Sequence, residues 1–154
     1  MITLADTLSA DCVGLELGPL DHRSAVRAVA ELLRPLPAVL DWSLLFTGLL
    51  NSSPCLAESG GEFAICLPHA RTDAVSAIAM SVGRFVPGIE FPDCSLPVRY
   101  IFCIGAPTAL ASDYPRLVGL LARILKEPEA ELQLRAAATP EEFVDRLRTL
   151  EAKL

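Results

Sequence analysis

The sequence lacks three features that would each point to a particular class of protein. No apolar run approaches the roughly 20 residues needed to cross a bilayer, because Asp, Glu or Arg interrupts every candidate, so no membrane insertion is expected. No Gly-x-x-x-x-Gly-Lys-Ser/Thr run is present, and Gly60-Gly61 is too short to be more than a turn. The N-terminus shows no basic segment followed by an apolar one. We therefore expect a cytoplasmic protein without a P-loop nucleotide site.

Cysteine is present, but not in a metal-binding pattern. The number of cysteines is odd, with no Cys-x-x-Cys pair and no histidine at zinc-finger spacing. The five positions are Cys12, Cys55, Cys66, Cys94 and Cys103. Four of them lie in or beside apolar runs, which is typical of reduced thiols in a core. We therefore expect reduced cysteines and no metal site, with a redox or catalytic cysteine as the alternative.

The composition predicts one globular domain that does not bind nucleic acid. The chain has 154 residues, of which 52% are hydrophobic and 21% charged, which is enough for an ordinary core. The net charge is −6, and the 13 Lys and Arg residues are dispersed, whereas a phosphate backbone requires clustered cations. No composition break or repeat marks a second unit, so residues 1–154 are expected to form a single domain.

Hydrophobic periodicity predicts an α/β fold with helices at both ends and strands between them. Strands are predicted over residues 12–17, 63–67, 76–82 and 98–104, and helices over 21–34, 41–50, 113–125 and from 140 onward, with a short helix after Pro128. Asp21 and Thr139 are the expected N-caps, and Asp41 begins the second helix, which should be largely buried. Residues 51–61 are expected to be a loop that lines the functional site, and residues 87–97 to be irregular.

The candidate functional residue is His69, in the run Leu67-Pro68-His69-Ala70-Arg71. Pro68 has no backbone N–H and is expected to end regular pairing, which places His69 near a strand end. A neutral imidazole can act there as a nucleophile, base or ligand, and Arg71 could hold an anion beside it. The alternative is an ordinary polar loop histidine followed by a surface arginine.

This run, the flanking strands and the helical tail resemble the enzyme IIA domains of the bacterial sugar phosphotransferase system, of the fructose/mannitol/nitrogen-regulatory type, over nearly the whole chain. The resemblance implies a mixed β-sheet covered by helices on both faces. It also implies that His69 receives a phosphoryl group from the histidine-containing phosphocarrier protein, in a reaction that needs no cofactor. His69 would then pass the group on, for example to an enzyme IIB domain, or use the charge change to signal to a regulatory target protein. Without a transport segment, the chain looks most like the nitrogen-regulatory branch.

The resemblance also assigns roles around His69. Ser59, ten positions earlier, matches a family Thr or Ser and would hydrogen-bond the imidazole or a phosphoryl oxygen, while Arg71 would bind the phosphoryl group. Ser53 lies where the family usually has an arginine, so that cation is missing. Asp113 corresponds, within two residues, to a second family histidine. A carboxylate there would favour a protonated imidazole and oppose phosphoryl transfer, unless Asp113 is only a helix N-cap.

The departures at Ser53 and Asp113 leave a second function open. The chain would then be a transfer-incompetent regulatory or binding module on the same fold. If transfer persists, Arg71, Arg99 or Arg116 is expected to replace the missing cation.

Other reactive arrangements are weaker. His22 lies in the first turn of a helix and is expected to be solvated. Glu58 and Glu62 flank the glycine turn, but no spacing forces them together as a carboxylate pair. Cys66 and His69, three residues apart on a strand, would lie on opposite faces, so a nucleophilic pair is not expected.

Overall fold

Six helices and six strands form the part of the chain that the computed structural model describes, residues 2–52, 55–57, 61–110 and 112–154. The helices are α1 Leu4–Thr7, α2 His22–Glu31, α3 Trp42–Leu50, α4 Asp113–Leu125, α5 Pro128–Ala136 and α6 Pro140–Ala152. The strands are β1 Val13–Gly14, β2 Cys55–Ala57, β3 Ala64–Cys66, β4 His69–Arg71, β5 Ala79–Ile89 and β6 Val98–Ala106. Short 3-10 turns cover Ala10–Cys12 and Thr108–Leu110.

The sheet is mixed, as expected, and is built around the antiparallel pair β5 and β6. Its order is β1-β5-β6-β3-β2, and β4 pairs with β6 as well. β1 is parallel to β5, β3 and β4 are parallel to β6, and β2 is antiparallel to β3. Every residue of β6 is buried, in keeping with its β-branched and aromatic composition. The strand predicted over 98–104 is therefore the central, fully buried strand of the sheet.

Helices cover both faces of this sheet. On one face, the Ser81 hydroxyl donates a 2.7 Å hydrogen bond to the Val29 carbonyl of α2, and any Cβ at Gly83 would collide with Val29. On the other face, the Tyr100 hydroxyl donates a 2.7 Å bond to Glu131 of α5. Adjacent residues of a strand point to opposite faces, so these contacts place α2 and α5 on opposite sides of the sheet. The predicted fold class is confirmed.

The three expected helix starts are present. Each cap side chain accepts a hydrogen bond from the backbone N–H three residues on, which satisfies a donor that the first turn leaves without a partner. The pairs are Asp21 with Ser24 at 2.8 Å, Asp41 with Leu44 at 3.2 Å and Thr139 with Glu142 at 3.1 Å. The Glu142 carboxylate accepts in turn from the N–H of Ala138 at 3.0 Å.

Helix α3 is less buried than its sequence predicted. Leu45 and Leu49 are fully buried, but Leu44 keeps 55% of its surface exposed. The helix lies at the surface of the sheet, so only one stripe of its apolar residues faces the core.

The strand boundaries also differ from the predictions, because pairing partners override local composition. β1 has only two residues, and β5 extends to Ile89, through the start of the stretch expected to be irregular. Pro87 is tolerated because the register between β5 and β6 is interrupted between Arg84 and Ile89, where no ladder donor is required. α1, and β2 within the predicted loop 51–61, were not predicted.

The expectation of five reduced thiols is wrong for two of them. Cys55 of β2 and Cys94 form a disulfide with a Cα–Cα distance of 6.2 Å. Their sequence separation of 39 residues gives no local signal for this pairing. Cys12, Cys66 and Cys103 are free and buried, as expected. Among the described residues, no helix is both long enough and apolar enough to cross a membrane.

Candidate functional site at His69

His69 begins the short strand β4, at the end of the sheet where β6 finishes. The prediction that Pro68 ends regular pairing is wrong, because pairing with β6 continues through Pro68. The Pro68 carbonyl accepts a 2.9 Å hydrogen bond from the Ile104 N–H, and His69 is in register with Ile104. Proline lacks only the donor, so its carbonyl can still join the ladder. Ala70 lies close to Gly48 of α3, so alternation turns His69 toward the opposite face, where α4 packs.

The imidazole of His69 is held through its Nδ1 atom. Nδ1 lies 3.1 Å from the carbonyl oxygen of Leu67 and 3.3 Å from the hydroxyl oxygen of Ser52. A carbonyl can only accept, so Nδ1 must carry the proton and donate it. In the neutral ring, the lone pair is then on Nε2. The local backbone therefore selects the tautomer with a nucleophilic Nε2.

Tyr114 covers one face of the imidazole. The two ring centroids are 4.4 Å apart with an interplanar angle of 27°, a stacked arrangement. Tyr114 is the second residue of α4, and burial raises the pKa of its phenol, so it stays neutral at physiological pH. The stack and the Nδ1 contacts together fix the ring while leaving it half-buried.

Two of the predicted charged residues are close in sequence to residues of this site: Arg71 to His69, and Asp113 to Tyr114. Arg71 is exposed and, two residues along β4, lies on the same face as His69. Asp113 is the first residue of α4, while Ser112 occupies the N-cap position, so Asp113 is not the cap. Within the described part of the chain, neither forms an ion pair with another residue. Their roles at the site stay predictions.

Two other arginines expected as replacement cations are engaged elsewhere. Arg99 forms a 2.7 Å ion pair with Glu131 and lies over the ring of Phe63. The Arg116 Nε donates a 3.2 Å hydrogen bond to the carbonyl of Ile2, near the N-terminus. Neither contact is with a residue that touches His69, so the expectation that they replace the missing cation is not supported.

The remaining candidates are placed as follows. Ser53, Ser59 and Glu58 lie outside the described residues, and Glu62 is exposed. Burial raises the pKa of the Cys66 thiol to about 12, which agrees with its rejection as a nucleophile. His22 is partly buried, with its ring centroid 5.4 Å from that of Phe91, rather than fully solvated.

Sequence reasoning missed Ser52 and Tyr114. Ser52 precedes the position compared with the family arginine, and Tyr114 follows the position compared with the family histidine. A shift of one residue in either comparison would have found the side chain that touches the imidazole. Tyr114 also carried a signal of its own, as one of only two tyrosines in the chain.

The arrangement suits nucleophilic chemistry at Nε2 of His69. Among the described residues, no three His, Cys, Asp or Glu side chains are placed to hold a metal ion. Fold and site together define a class of protein: an α/β domain that presents one oriented imidazole at the end of a parallel strand pair.

The family can be named from the sequence as a whole. The family model described as "Phosphoenolpyruvate-dependent sugar phosphotransferase system, EIIA 2" matches residues 7–149. The chain therefore belongs to this family of enzyme IIA domains, and the resemblance read from residues 67–71 is confirmed. That residues 1–154 form one such domain stays a prediction.

Similar proteins carry several names within the phosphotransferase system. The "PTS system fructose-specific EIIA component" of Haloferax volcanii is 28% identical over 136 residues, which are 88% of each chain. The nitrogen regulatory protein IIA-Ntr of Neisseria meningitidis superposes with a TM-score of 0.77 at 18% identity, over 94% of this chain and 98% of that one. IIA mannitol from an Escherichia coli complex with phosphorylated enzyme IIB mannitol gives 0.71 at 17% identity, over 93% and 98%. The two structures show a shared fold.

Proposed function

We propose that this chain is a phosphohistidine carrier, which accepts a phosphoryl group on Nε2 of His69 from the histidine-containing phosphocarrier protein. One observation carries the proposal: the Nδ1–H of His69 faces the Leu67 carbonyl at 3.1 Å, so the neutral ring has its lone pair on Nε2. Membership of the enzyme IIA family supports the reaction class.

The proposed transfer needs no proton movement at His69. The Nε2 lone pair attacks the phosphorus of the phosphohistidine donor in line, the donor's P–N bond breaks, and its electron pair returns to the donor imidazole. The Nδ1–H of His69 continues to donate to Leu67. Arg71, on the same face of β4, is proposed to bind the phosphoryl oxygens, and Ser59 to donate a hydrogen bond at the site.

Labelling tests the carrier function directly. The chain is incubated with enzyme I, the phosphocarrier protein and labelled phosphoenolpyruvate, and acid-labile phosphate is mapped by peptide. We expect label on His69, none in His69→Ala, and undiminished label in the matched control His22→Ala. Absence of label while a known enzyme IIA domain is labelled in the same tube, or label on another residue, would reject the proposal.

The second candidate is a transfer-incompetent regulatory module. It is favoured by one observation: the described neighbours of the imidazole, Ser52, Leu67 and Tyr114, are all uncharged. A family-type arginine is also missing at Ser53. In that case wild type stays unlabelled, Ser53→Arg restores labelling, and binding of the target protein is the same for wild type and His69→Ala. Robust labelling of wild type contradicts this candidate.

Within the carrier function, we propose the nitrogen-regulatory branch. The likeness to IIA-Ntr of Neisseria meningitidis supports it at the level of fold, whereas the Haloferax volcanii relative is named fructose-specific. The two branches differ in the acceptor. Phosphorylated chain is mixed with a fructose-type enzyme IIB, and loss of label from His69 is followed over time. Retention is expected of a regulatory protein, and rapid transfer to enzyme IIB would assign the sugar branch.

A further inference from the structure

A cavity of about 330 Å³ lies on the α2 side of the molecule, and its lining residues do not include Ser52, Leu67 or Tyr114, the described contacts of His69. Its apolar part is formed by Val26, Leu50 and Phe91. Its polar part includes His22, Arg23 and Arg27 of α2, together with Asp93. Cys55, one half of the disulfide, also lines it. The cavity therefore combines a sulfur with a group of cationic side chains.

Among the five cysteines, only the two of the disulfide are accessible to solvent. Cys55 and Cys94 are both partly exposed, whereas Cys12, Cys66 and Cys103 are buried. Burial raises the pKa of each of these three thiols, that of Cys66 to about 12. Thiol–disulfide exchange requires a thiolate and access to the sulfur. The buried cysteines meet neither condition, so exchange is directed to the Cys55–Cys94 pair.

The charge at the cavity favours an anionic reagent. Arg23 and Arg27 are one helical turn apart on α2, and both are exposed. The described lining residues include two arginines and one carboxylate, Asp93, and the Arg27 guanidinium lies 6.0 Å from the centroid of the Phe46 ring. Cations beside a sulfur stabilise its thiolate and attract anions.

We propose that Cys55–Cys94 is a thiol-exchange site, and that its cavity takes an anionic low-molecular-weight thiol of the glutathione class. The thiolate attacks the Cys55 sulfur, the Cys55–Cys94 bond breaks, and Cys94 leaves as a thiolate. Cys55 then carries the small thiol as a mixed disulfide. A second thiolate attacks the sulfur of the bound small molecule, which releases its disulfide and leaves Cys55 reduced. The protein gains the two electrons that the two small thiols lose.

The site also has a structural consequence. Cys55 is the first residue of β2, an edge strand that pairs with β3 over three residues. The disulfide ties this strand to the segment that carries Cys94. Exchange at Cys55 would therefore remove the covalent link between β2 and the connection from β5 to β6, and leave β2 attached to the sheet through its pairing with β3 alone.

The test compares two thiols of opposite charge on the whole chain. The disulfide is formed with oxidised glutathione, the folded protein is treated with glutathione or with cationic cysteamine, and samples are quenched in acid for intact mass and peptide mapping. We expect glutathione to react faster than cysteamine after correction for thiolate content, with its adduct on Cys55. In Arg23→Gln/Arg27→Gln this preference should fall by roughly fivefold to tenfold, the scale of two partly exposed charges.

The matched control is Arg123→Gln/Arg148→Gln, which removes the same net charge at exposed positions lining a different cavity. It should keep the wild-type preference. An adduct mapped to a buried cysteine, equal rates for the two thiols on wild type, or five alkylatable thiols after treatment with oxidised glutathione would each overturn the proposal. The comparison of thiols on wild type does not depend on whether the variants fold.

Discussion

Two polar clusters lie on the same side of the sheet, and they use charge in opposite ways. Around Glu131, two arginines and a tyrosine converge on one buried carboxylate: Arg99 at 2.7 Å, Arg135 at 3.0 Å and the Tyr100 hydroxyl at 2.7 Å. Around His69, the described contacts are a carbonyl, a hydroxyl and an aromatic ring. The first cluster is buried and contains charged side chains, whereas His69 is half-buried and its described contacts are uncharged groups.

The difference shows that a buried arginine of this chain is paired with a core carboxylate and does not lie at the His69 site. Arg99 is 9% exposed and satisfies a core carboxylate, so it is not available to a phosphoryl group. Burial, and then the bond to Glu131, raise the pKa of Tyr100, which keeps its phenol protonated as a donor. The contacts of His69 orient the imidazole instead and place no charged side chain of the described residues against it. Under the proposed carrier function, the cation that stabilises the phosphoryl group would come from an exposed residue such as Arg71 or from the partner protein.

The largest expected effect is on the Glu131 cluster. Glu131→Gln leaves the Arg99 guanidinium buried without its counter-charge, and breaking a buried pair in this way costs about 3–5 kcal/mol. We expect the urea midpoint to fall accordingly, with circular dichroism at low urea unchanged. Glu129→Gln, on the exposed side of the same helix, is the matched control and should change the free energy of unfolding by less than about 0.5 kcal/mol. Equal effects of the two substitutions would show that the cluster adds no stability.

The candidate residue His69 could be selected from the sequence because its signal is local. An apolar run followed by Pro68 and His69 predicts an imidazole just beyond a strand, and strand β3 does end at Cys66, although His69 itself begins β4. The helix starts at Asp21 and Thr139 were equally local, since each cap bonds a residue three positions away. The strand 98–104 was predicted because its composition agrees with its burial on both faces.

The contacts that orient His69 could not be found in this way. Tyr114 lies 45 positions from His69 and Ser52 lies 17 positions away, on elements that meet only after the sheet and its helices have packed. The pairing of Cys55 with Cys94 and the capture of Arg99 by Glu131 depend on tertiary contacts as well. The sequence pattern selected the candidate histidine, whereas the packing of the helices on the sheet determines which side chains contact it.

The next prediction concerns the stacked ring at the uncharged site, and it rests on the proposed carrier function. Tyr114→Ala removes a stacking partner worth about 0.5–1.5 kcal/mol, so phosphorylation of His69 should slow by roughly threefold to tenfold. Tyr114→Phe keeps the ring and should stay within about twofold of wild type. Initial rates of labelling by the phosphocarrier protein measure both. Equal losses in the two variants would assign the effect to the hydroxyl group and not to the stack.

A smaller effect on stability is expected from the N-terminal caps of α4, which carries Tyr114, and of α6, which provides none of the described contacts of His69. Thr139 caps α6 with its side chain, whereas Ser112 at the start of α4 makes no side-chain cap bond. Thr139→Ala should lower the free energy of unfolding by about 1 kcal/mol, and Ser112→Ala by much less. Urea denaturation of the two variants side by side checks this. A loss at Ser112 as large as that at Thr139 would mean that the start of α4 is stabilised through this serine after all.

The smallest effect is expected at Ser52, and it tests how the site sets its tautomer. The Ser52 hydroxyl lies 3.3 Å from Nδ1, farther than the Leu67 carbonyl at 3.1 Å, and the two share one proton. The Leu67 carbonyl alone is expected to keep that proton on Nδ1. Ser52→Ala should therefore slow labelling of His69 by no more than about twofold, which corresponds to the smallest net free energy typical of a single hydrogen bond. Nitrogen chemical shifts of the imidazole should still show the proton on Nδ1. A shift of the proton to Nε2 in Ser52→Ala, together with a large loss of labelling, would mean that the serine and not the backbone selects the reactive form.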